Sequence, residues 1–431
     1  MNVGSTRGAA ADLPLADALL RGTAPDGGLY VPVGLPRGAI QPPHPSTLRD
    51  AALAVLAPFF AGDRLAPALP EMIDEAFTFP ATLVRSSRRG DFVLELFHGP
   101  TAAFKDFGAR FLAACVRRLH PPGGGIRTVL VATSGDTGGA VASAFHRMPG
   151  IQVVLLYPDG RVSPRQAHQL GAFGDNVRAL RVGGSFDDCQ RMVKAAFADP
   201  TLAELQLTSA NSISLGRLLP QLAYHAHAAF AVETFGGPLN LVVPTGNLGN
   251  ALAAVWAREL GAPIGEIVLA TNANQTLPEF FDSGLYRGRP SVKTLANAMD
   301  VGDPSNFERL VWTFGGPETL RTRVRARAVS DLHIAHTIEH GERRQGQLFC
   351  PHTAAGIFVL EQLRAAGATG DWAVAATAHP AKCETVVEPL VGHPVPVPRA
   401  LAELLTRPSR AEPLAADPDA LRRWLLDRRA G

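Results

Sequence analysis

The sequence predicts an α/β protein with mostly parallel sheets, helices on both sheet faces, and two lobes preceded by an N-terminal subdomain. Three observations predict this class: continuous apolar segments, helix-patterned runs that alternate with them, and small-residue turns that join the two. Continuous apolar strands that alternate with helices are typical of βαβ units. The predicted strands are 92–97, 127–132, 151–157, 240–243, 266–270 and 372–376.

Most of these strands lead into a turn and then a helix-patterned run. The predicted helices are 107–119, 140–148, one that begins near Ser163, and 251–260. Ligands bind parallel sheets of this kind at the carboxyl ends of the strands. The turns that follow the predicted strands are therefore the candidate functional segments.

A chain of 431 residues is long enough to bury more than one core, so we expect separate lobes. The expected parts are an N-terminal subdomain at 1–88, a large lobe of 89–124 and 206–431, and a small lobe at 125–205. After the proline-rich stretch 394–398, the tail is predicted to contain helices at 401–405 and 419–429.

Composition excludes several classes of protein. The net charge is only +2, which argues against the concentrated basic face that nucleic-acid binding requires. No apolar stretch reaches the ~20 residues of a membrane helix, and the N-terminus lacks the apolar core of a secretory signal. The four cysteines form no Cys-x-x-Cys pair, which argues against a disulfide framework or a cysteine zinc site. We expect a cytoplasmic protein that binds neither nucleic acid nor membrane, with a monomer as the working expectation.

Lys105 is the strongest candidate for a nucleophile. Only four lysines occur among the 41 lysines and arginines of the chain, and Lys105 follows the apolar run 92–97. A lysine amine can be desolvated and deprotonated, whereas an arginine guanidinium stays protonated. The alternative interpretation is a surface lysine at the start of a helix.

A glycine-rich turn after the strand 240–243 is a candidate phosphate site. Its residues are Gly246, Asn247, Leu248, Gly249 and Asn250. The first N–H groups of a helix have no intrahelical partners, and the helix dipole adds partial positive charge there. Glycines let a phosphate approach without a Cβ in the way. The turn is neither a P-loop nor a GxGxxG fingerprint, so a single phosphate fits best; a purely structural turn is the alternative.

Two further segments supply polar groups at strand ends. The turn after 127–132 contains Ser134, Gly135, Asp136 and Thr137, which can gather donors around a carboxylate. Its alternative interpretation is a helix N-cap formed by Asp136 or Thr137. Thr377 follows the strand 372–376 and would point a hydroxyl into the same crevice; the alternative is a threonine bonded to its own backbone.

A lysine able to form a Schiff base, a phosphate-binding turn and a strand-end hydroxyl together indicate pyridoxal phosphate (PLP). The sequence also resembles the threonine synthase family, PLP enzymes of fold type II, the tryptophan synthase β-like fold. The matching blocks are 5–8, 24–32, 94–111, 132–139, 211–213, 243–250, 271–274, 305–309, 352–356 and 376–382. The resemblance thus spans most of the chain in order, and its N-terminal blocks distinguish the long threonine synthases from other relatives.

The resemblance implies a role for each candidate residue. Lys105 would be the Schiff-base lysine, the turn 246–250 would bind the cofactor phosphate, and Thr377 would partner the pyridine nitrogen. The substrate carboxylate would bind at 134–137. The implied reaction converts O-phospho-L-homoserine and water into L-threonine and phosphate.

The resemblance also implies that Asn306 and Arg309 help to position the substrate phosphate. Two places depart from the family pattern. Cys350 stands where an acidic residue is more usual, and 214–216 is Ser-Leu-Gly where an Asn-Trp-Ala-like sequence is more usual. The details of the substrate pocket therefore stay open.

Three alternatives remain at this stage. A PLP-dependent lyase or dehydratase acting on a hydroxy- or phospho-amino acid would share the same cofactor residues. A metal enzyme is conceivable because His333, His336 and His340 share one face of a predicted helix, but no HExxH motif is present; we expect no metal. A catalytically inactive binding protein is the third alternative, and the presence of Lys105 argues against it.

Overall fold

The computed structural model describes residues 1–41, 44–120, 123–233 and 236–427. In these residues the chain forms three β-sheets flanked by helices, which confirms the predicted α/β class. The strands are β1 Asn2–Ser5, β2 Leu13–Pro14, β3 Tyr30–Pro32, β4 Thr82–Arg85, β5 Asp91–Glu95, β6 Arg127–Ala132, β7 Ile151–Pro158, β8 Val177–Val182, β9 Leu239–Pro244, β10 Ile264–Thr271, β11 Arg325–Ala328, β12 Trp372–Ala376 and β13 Glu412–Leu414.

Helices cover both faces of the two larger sheets. The α-helices are α1 Leu15–Arg21, α2 Leu48–Phe60, α3 Leu69–Ala76, α4 Lys105–Leu119, α5 Asp136–Phe145, α6 Pro164–Gly171, α7 Phe186–Ala198, α8 Leu215–Leu218, α9 Gln221–Glu233, α10 Gly249–Glu259, α11 Thr276–Ser283, α12 Phe307–Phe314, α13 Pro317–Arg323, α14 Asp331–Gln345, α15 Pro351–Ala365, α16 Glu384–Val391, α17 Arg399–Leu405 and α18 Pro418–Asp427. Short 3-10 helices lie at Ala66–Ala68, Pro200–Leu205, Asn297–Met299 and Pro380–Cys383.

The large lobe is built on a six-stranded sheet with the order β11-β10-β9-β12-β5-β4. Its neighbouring strands are parallel except for the antiparallel pair β4–β5. The central strand β12 is fully buried, as expected for a strand covered on both faces. Because β4 belongs to this sheet, the last residues of the predicted N-terminal segment 1–88 are part of the large-lobe sheet.

The small lobe is built on a parallel sheet with the order β13-β8-β7-β6. Apolar clusters cover both faces of this sheet, with α5 and α6 on one side and α7 and α18 on the other. The N-terminal segment adds a small antiparallel sheet of order β2-β1-β3. Among the described residues, no helix combines the length and the apolar character needed to cross a membrane.

The C-terminal segment departs from the predicted division of the chain. We expected 206–431 to lie in the large lobe, but β13 pairs in parallel with β8, with Glu412 opposite Leu180. Helix α18 then buries Leu421 and Leu425 against the small lobe. The physical reason is that Leu421 and Leu425 are buried in the apolar cluster on one face of the small-lobe sheet. The two predicted tail helices are confirmed at α17 and α18, although positions 428 and 429 lie outside the described residues.

Candidate active site

A cavity of about 1220 Å³ lies where the two lobes meet. Most of the residues that the sequence singled out line its wall: Lys105, Ser134, Asp136, Thr137, Gly246, Asn247, Leu248, Gly249, Asn250 and Thr377. The strands β9, β12 and β6 end just before the segments that carry them, as a site at the carboxyl edge of parallel sheets requires. Gly135, Asn306 and Arg309 are not among the lining residues.

Lys105 is the first residue of α4 and points into this cavity with its side chain only 14% exposed. The loop before it is fixed to the end of β12, because the Phe104 N–H donates to the Thr377 carbonyl at 2.8 Å. Burial lowers the pKa of the Lys105 amine, and the charges of Lys382 and Arg217 lower it further, whereas Asp136 opposes the shift. The environment thus favours a neutral amine, which a nucleophile or base needs.

Asp136, the first residue of α5, is shared by two lysines. Its Oδ1 lies 2.8 Å from Lys382 Nζ, and its Oδ2 lies 3.9 Å from Lys105 Nζ. Gln166 Nε2 donates to the same Oδ1 at 3.0 Å. Although burial raises the pKa of the Asp136 carboxyl, the ammonium group of Lys382, together with Lys105 when that amine is protonated, outweighs it and holds the pKa well below its usual range. The carboxylate is therefore ionised.

Lys382 is a site residue that the sequence interpretation missed. It is 1% exposed and donates to the Thr101 carbonyl at 2.7 Å in addition to Asp136. The sequence did offer a signal, since Lys382 is one of four lysines and follows the strand that leads to Thr377. Its partners are distant along the chain, so the contact itself could not be deduced.

The glycine turn before α10 has the form of an anion cradle. Leu248 adopts a left-handed φ of 63°, and α10 starts at Gly249 without a side-chain cap. A Cβ on Gly246 would lie 2.7 Å from the Met299 backbone, so only glycine fits there. At Gly249 the nearest atoms lie 3.9–4.0 Å from such a Cβ, which is ordinary van der Waals contact, so the protein itself does not crowd this position. Gly249 and Asn250 line the cavity, where the first N–H groups of a helix have no intrahelical partners.

Asn250 adds a side-chain donor to the cradle. Its Oδ1 accepts from Tyr224 OH at 2.9 Å and from His225 Nε2 at 2.7 Å. Its Nδ2 is buried and has no hydrogen-bond partner in the described part of the chain. Burial lowers the pKa of His225 to about 4, so the ring is neutral at neutral pH. A buried N–H group without an acceptor is costly, and a bound anion would supply the acceptor.

Asn306 and Arg309 lie behind the turn rather than on the cavity wall, and both are 0% exposed. Asn306 Nδ2 donates to the Asn247 carbonyl at 2.8 Å, and Arg309 Nη1 donates to Asn306 Oδ1 at 2.9 Å. Arg309 Nε also donates to the Tyr30 carbonyl at 2.9 Å. Asn306 and Arg309 therefore support the turn 246–250 from behind.

The turn before α5 is held by Thr133, whose Oγ1 accepts from the Gly135 and Gly138 N–H groups at 3.0 and 2.8 Å. Gly135 has a φ of 124° and is the N-cap, without a side-chain cap bond. Neither Asp136 nor Thr137 caps the helix, so the alternative interpretation as an N-cap is wrong. Gly135 itself packs on Gln166 behind the wall.

Thr377 follows β12 and is 6% exposed. Its carbonyl accepts the bond from Phe104, but its hydroxyl makes no hydrogen bond with a described residue. The hydroxyl is thus available to a ligand in the cavity, as predicted from its position at the strand end.

Two more cavity residues escaped the sequence interpretation. His352 Nε2 accepts from the Ala298 N–H at 3.1 Å, and burial lowers the pKa of His352 to about 4. Arg217 is 2% exposed, and burial lowers its pKa to about 10. His352 lies in one of the blocks quoted above, but nothing in the sequence indicates that Arg217 is buried.

The predicted group of His333, His336 and His340 on α14 is only partly observed, because His333 does not belong to it. His336, Glu339 and His340 bring potential ligand atoms within 4.8 Å of one another. His333 instead stacks on Phe358, with ring centroids 4.3 Å apart. These residues do not line the cavity, so they play no part in the site built around Lys105.

PLP fits the residues present. Its phosphate needs an uncapped helix start with free donors, which Gly249 and Asn250 supply. Its aldehyde needs a neutral amine, and Lys105 is buried in the same cavity. Thr377 provides a free hydroxyl for a ring nitrogen.

The comparison with known proteins agrees with this fit. Residues 84–381 match the family of pyridoxal-phosphate dependent enzymes, so the chain is a PLP enzyme. Residues 3–77 match the threonine synthase N terminus, and residues 353–425 match the threonine synthase C-terminal family. The chain belongs to the threonine synthase family.

Individual relatives resemble the chain over its full length. Threonine synthase of Haemophilus influenzae is 36% identical over 429 residues, covering 99% of this chain and 100% of the relative. The crystal structure of threonine synthase from Escherichia coli superimposes with a TM-score of 0.90 at 34% identity and covers 99% of this chain and 100% of that chain. PLP-bound threonine synthase from Brucella melitensis gives a TM-score of 0.90 at 35% identity, covering 99% and 98%.

Proposed function

We propose that this chain converts O-phospho-L-homoserine and water into L-threonine and inorganic phosphate. The observation that carries the proposal is the meeting of the buried Lys105 amine, the uncapped turn with Asn250, and Thr377 in one cavity. The full-length match to threonine synthases supports the choice of this reaction among PLP-dependent reactions.

Each group of the cofactor has a partner in this arrangement. Lys105 would hold the aldehyde carbon covalently, the N–H groups at 246–250 and Asn250 Nδ2 would hold the phosphate, and Thr377 would meet the ring nitrogen. When bound, the cofactor supplies an electron sink for the charge that develops when a proton leaves the substrate. A hydroxyl partner, unlike a carboxylate, does not stabilise a protonated ring nitrogen.

Lys105 also moves protons. The Lys105 amine lines the cavity, where it would remove the Cα proton and later a Cβ proton of the substrate as general base. Burial lowers the pKa of that amine, and the charges of Lys382 and Arg217 lower it further, which favours the neutral form that accepts a proton. Phosphate leaves from Cγ, which takes up a proton to become the methyl group. Water then adds its hydroxyl at Cβ, and a proton returned to Cα completes L-threonine.

The substrate carboxylate would bind at the turn of the small lobe. Ser134 and Thr137 face the cavity there, beside the first N–H groups of α5. Asp136 is also on the wall, but its carboxylate is occupied by Lys382, so it does not leave an uncompensated negative charge near the substrate.

The substrate phosphate is an anion and requires cations on the cavity wall. Within the described ranges, Arg21 and Lys194 line the cavity without a carboxylate partner at ion-pair distance, and we propose them as its partners. Asn306 and Arg309 would then influence the site through Asn247, which they hold in place.

Product analysis tests the proposed reaction. Purified protein incubated with O-phospho-L-homoserine should release phosphate and L-threonine in equal amounts. Formation of ammonia and a keto acid from serine, threonine or a phospho-amino acid, without L-threonine from the phosphorylated substrate, would favour the lyase or dehydratase alternative.

The setting of the enzyme is also a proposal. We propose a cytoplasmic enzyme whose partner is its small-molecule substrate. The net charge of +2 does not favour non-specific binding to nucleic acid or to an anionic membrane. A monomer is the state to test, by sedimentation equilibrium of the purified protein.

A further inference from the structure

Three ionisable groups meet at the junction of the lobes: one carboxyl group and two lysine amines. Asp136 belongs to the small lobe, and both Lys105 and Lys382 belong to the large lobe. Asp136 Oδ1 lies 2.8 Å from Lys382 Nζ, whereas Asp136 Oδ2 lies 3.9 Å from Lys105 Nζ. One carboxylate compensates one ammonium in a buried site, and a second buried ammonium would be left without a counter-charge.

The contacts decide which lysine keeps its proton. Lys382 Nζ reaches two acceptors, the Asp136 carboxylate and the Thr101 carbonyl at 2.7 Å, and it is 1% exposed. Lys105 Nζ is beyond hydrogen-bond distance of Asp136. The ammonium state is therefore best satisfied at Lys382, which leaves Lys105 as the neutral amine.

We propose that Lys382 is a positioning residue of this active site: it holds the Asp136 carboxylate as its permanent counter-ion and thereby frees Lys105 to act as an uncharged amine. The proposal rests on the proposed function for the use of that amine, but its electrostatic content does not depend on the substrate. Lys382 acts through Asp136 and touches no reacting atom.

Other charged and titratable groups near Lys105 do not replace this contact. Arg217 lowers the pKa of the Lys105 amine in the same direction as Lys382, but it makes no ion pair with Asp136 within the described residues. Burial raises the pKa of the Cys350 thiol and lowers that of His352 to about 4, so both are neutral near pH 7. Burial also raises the pKa of the Asp106 carboxyl, which is bonded to Thr101 rather than to a lysine. Among the described residues, Lys382 is thus the one cation within hydrogen-bond distance of Asp136.

Substitutions of the two partners should move the pKa of the Lys105 amine in opposite directions. In Lys382→Met, Asp136 has only Lys105 as a cation, so the pKa should rise by at least about one unit, which is a tenfold smaller neutral fraction at a given pH. In Asp136→Asn, the two lysines repel each other without a carboxylate between them, so the pKa should fall. In the double variant, the pKa of the Lys105 amine should lie between its values in the two single variants.

Two measurements report the effect without turnover. One is the pH titration of the absorbance of the cofactor–Lys105 linkage in the holoenzyme, which gives the pKa of the linkage nitrogen; the same neighbouring charges should move it in the same direction as the pKa of the amine. The other is the pH dependence of Lys105 acylation in the cofactor-free full chain, read by peptide mass spectrometry. Lys293→Met, at an exposed lysine outside the cavity, is the matched control and should leave both profiles unchanged.

The result that overturns the proposal is an unchanged or lowered Lys105 pKa in Lys382→Met, or an unchanged or raised one in Asp136→Asn. If Lys382→Met does not fold, Lys382→Gln keeps an N–H donor, lacks the charge, and carries the same expectation. Because neither readout uses O-phospho-L-homoserine, a shifted pKa together with absent phosphate release would contradict the proposed reaction and leave the role of Lys382 standing.

Discussion

At the level of single residues, neither of the two lysines beside Asp136 can be exchanged for arginine, and the reasons differ. Lys105 must lose its proton to react, which a guanidinium does not do in proteins. Lys382 is 1% exposed, and its compact ammonium group contacts the Asp136 carboxylate and the Thr101 carbonyl. In a chain with only four lysines among 41 basic residues, two of the four therefore serve one carboxylate.

Replacement of Lys105 tests its two roles together. Lys105→Ala and Lys105→Arg should both abolish the absorbance of the cofactor–lysine linkage and lower turnover by at least about 10²–10⁴-fold, because each lacks a base that can bond the cofactor. Spectra and phosphate release measure the two effects. Lys293→Arg is the control, and retained turnover in Lys105→Ala would exclude the assignment.

Asn250 tests the side-chain donor of the phosphate cradle. Asn250→Asp keeps an acceptor for Tyr224 and His225 but turns the free Nδ2 donor into an oxygen. Losing a hydrogen bond to a charged group costs about 1.5–3 kcal/mol, so the Kd for PLP should rise at least tenfold in equilibrium dialysis. Tyr224→Phe leaves Nδ2 in place and should change the Kd less; equal Kd values for wild type and Asn250→Asp would contradict the role.

At the level of elements, the strand-turn-helix units could be predicted because their signals are local. The predicted strands 372–376 and 240–243 are observed as β12 and as β9, which is slightly longer. The support behind the turns could not be predicted, because it depends on distant partners. Asn306 bonds Asn247 across 59 residues, and Lys382 bonds Thr101 across 281. Periodicity carries no information about such pairs.

The two glycines of the cofactor turn should respond differently to alanine. Gly246→Ala places a Cβ 2.7 Å from the Met299 backbone and should destabilise the cofactor-free protein by about 1–3 kcal/mol. Gly249→Ala meets its nearest protein atoms at 3.9–4.0 Å, so stability should be kept, while the Kd for PLP should rise because a methyl group is added at a residue that lines the cavity. Urea unfolding measures the stability of each variant, and equilibrium dialysis measures its Kd for PLP.

Gly34→Ala is the control for this pair, since a Cβ there meets nothing within 4 Å. A Kd for PLP in Gly249→Ala equal to that of wild type would place the phosphate elsewhere. Unchanged stability of Gly246→Ala would mean that the Met299 backbone can move away.

At the level of the whole molecule, the C-terminal segment links the lobes. It leaves the large lobe after α16, and β13 then joins the edge of the small-lobe sheet. The sequence did not indicate this, because a three-residue strand with Pro413 at its centre has almost no strand pattern. Proline is tolerated there because β13 is an edge strand.

The stability of the whole protein should depend on pH through buried neutral histidines. Burial lowers the pKa of His225, His352 and His379 to about 4, below the value of about 6.5 in an unfolded chain. Between these values the unfolded state binds more protons, so stability is present above pH ~6.5 and is lost as the pH falls through ~4. Each histidine contributes up to about 1.4 kcal/mol per pH unit in that window.

Asp300 acts in the opposite direction, because burial raises its pKa to about 6. Its protonation in the folded state adds stability as the pH falls, so the total slope does not isolate the histidines. The comparison of variants does: His225→Gln removes one titrating group and should make the free energy of unfolding fall less steeply between pH 6.5 and 4.5. The exposed His44 provides the control His44→Gln. Urea unfolding at several pH values measures the slopes, and an equal slope in His225→Gln and wild type would mean that His225 is not a buried neutral histidine in solution.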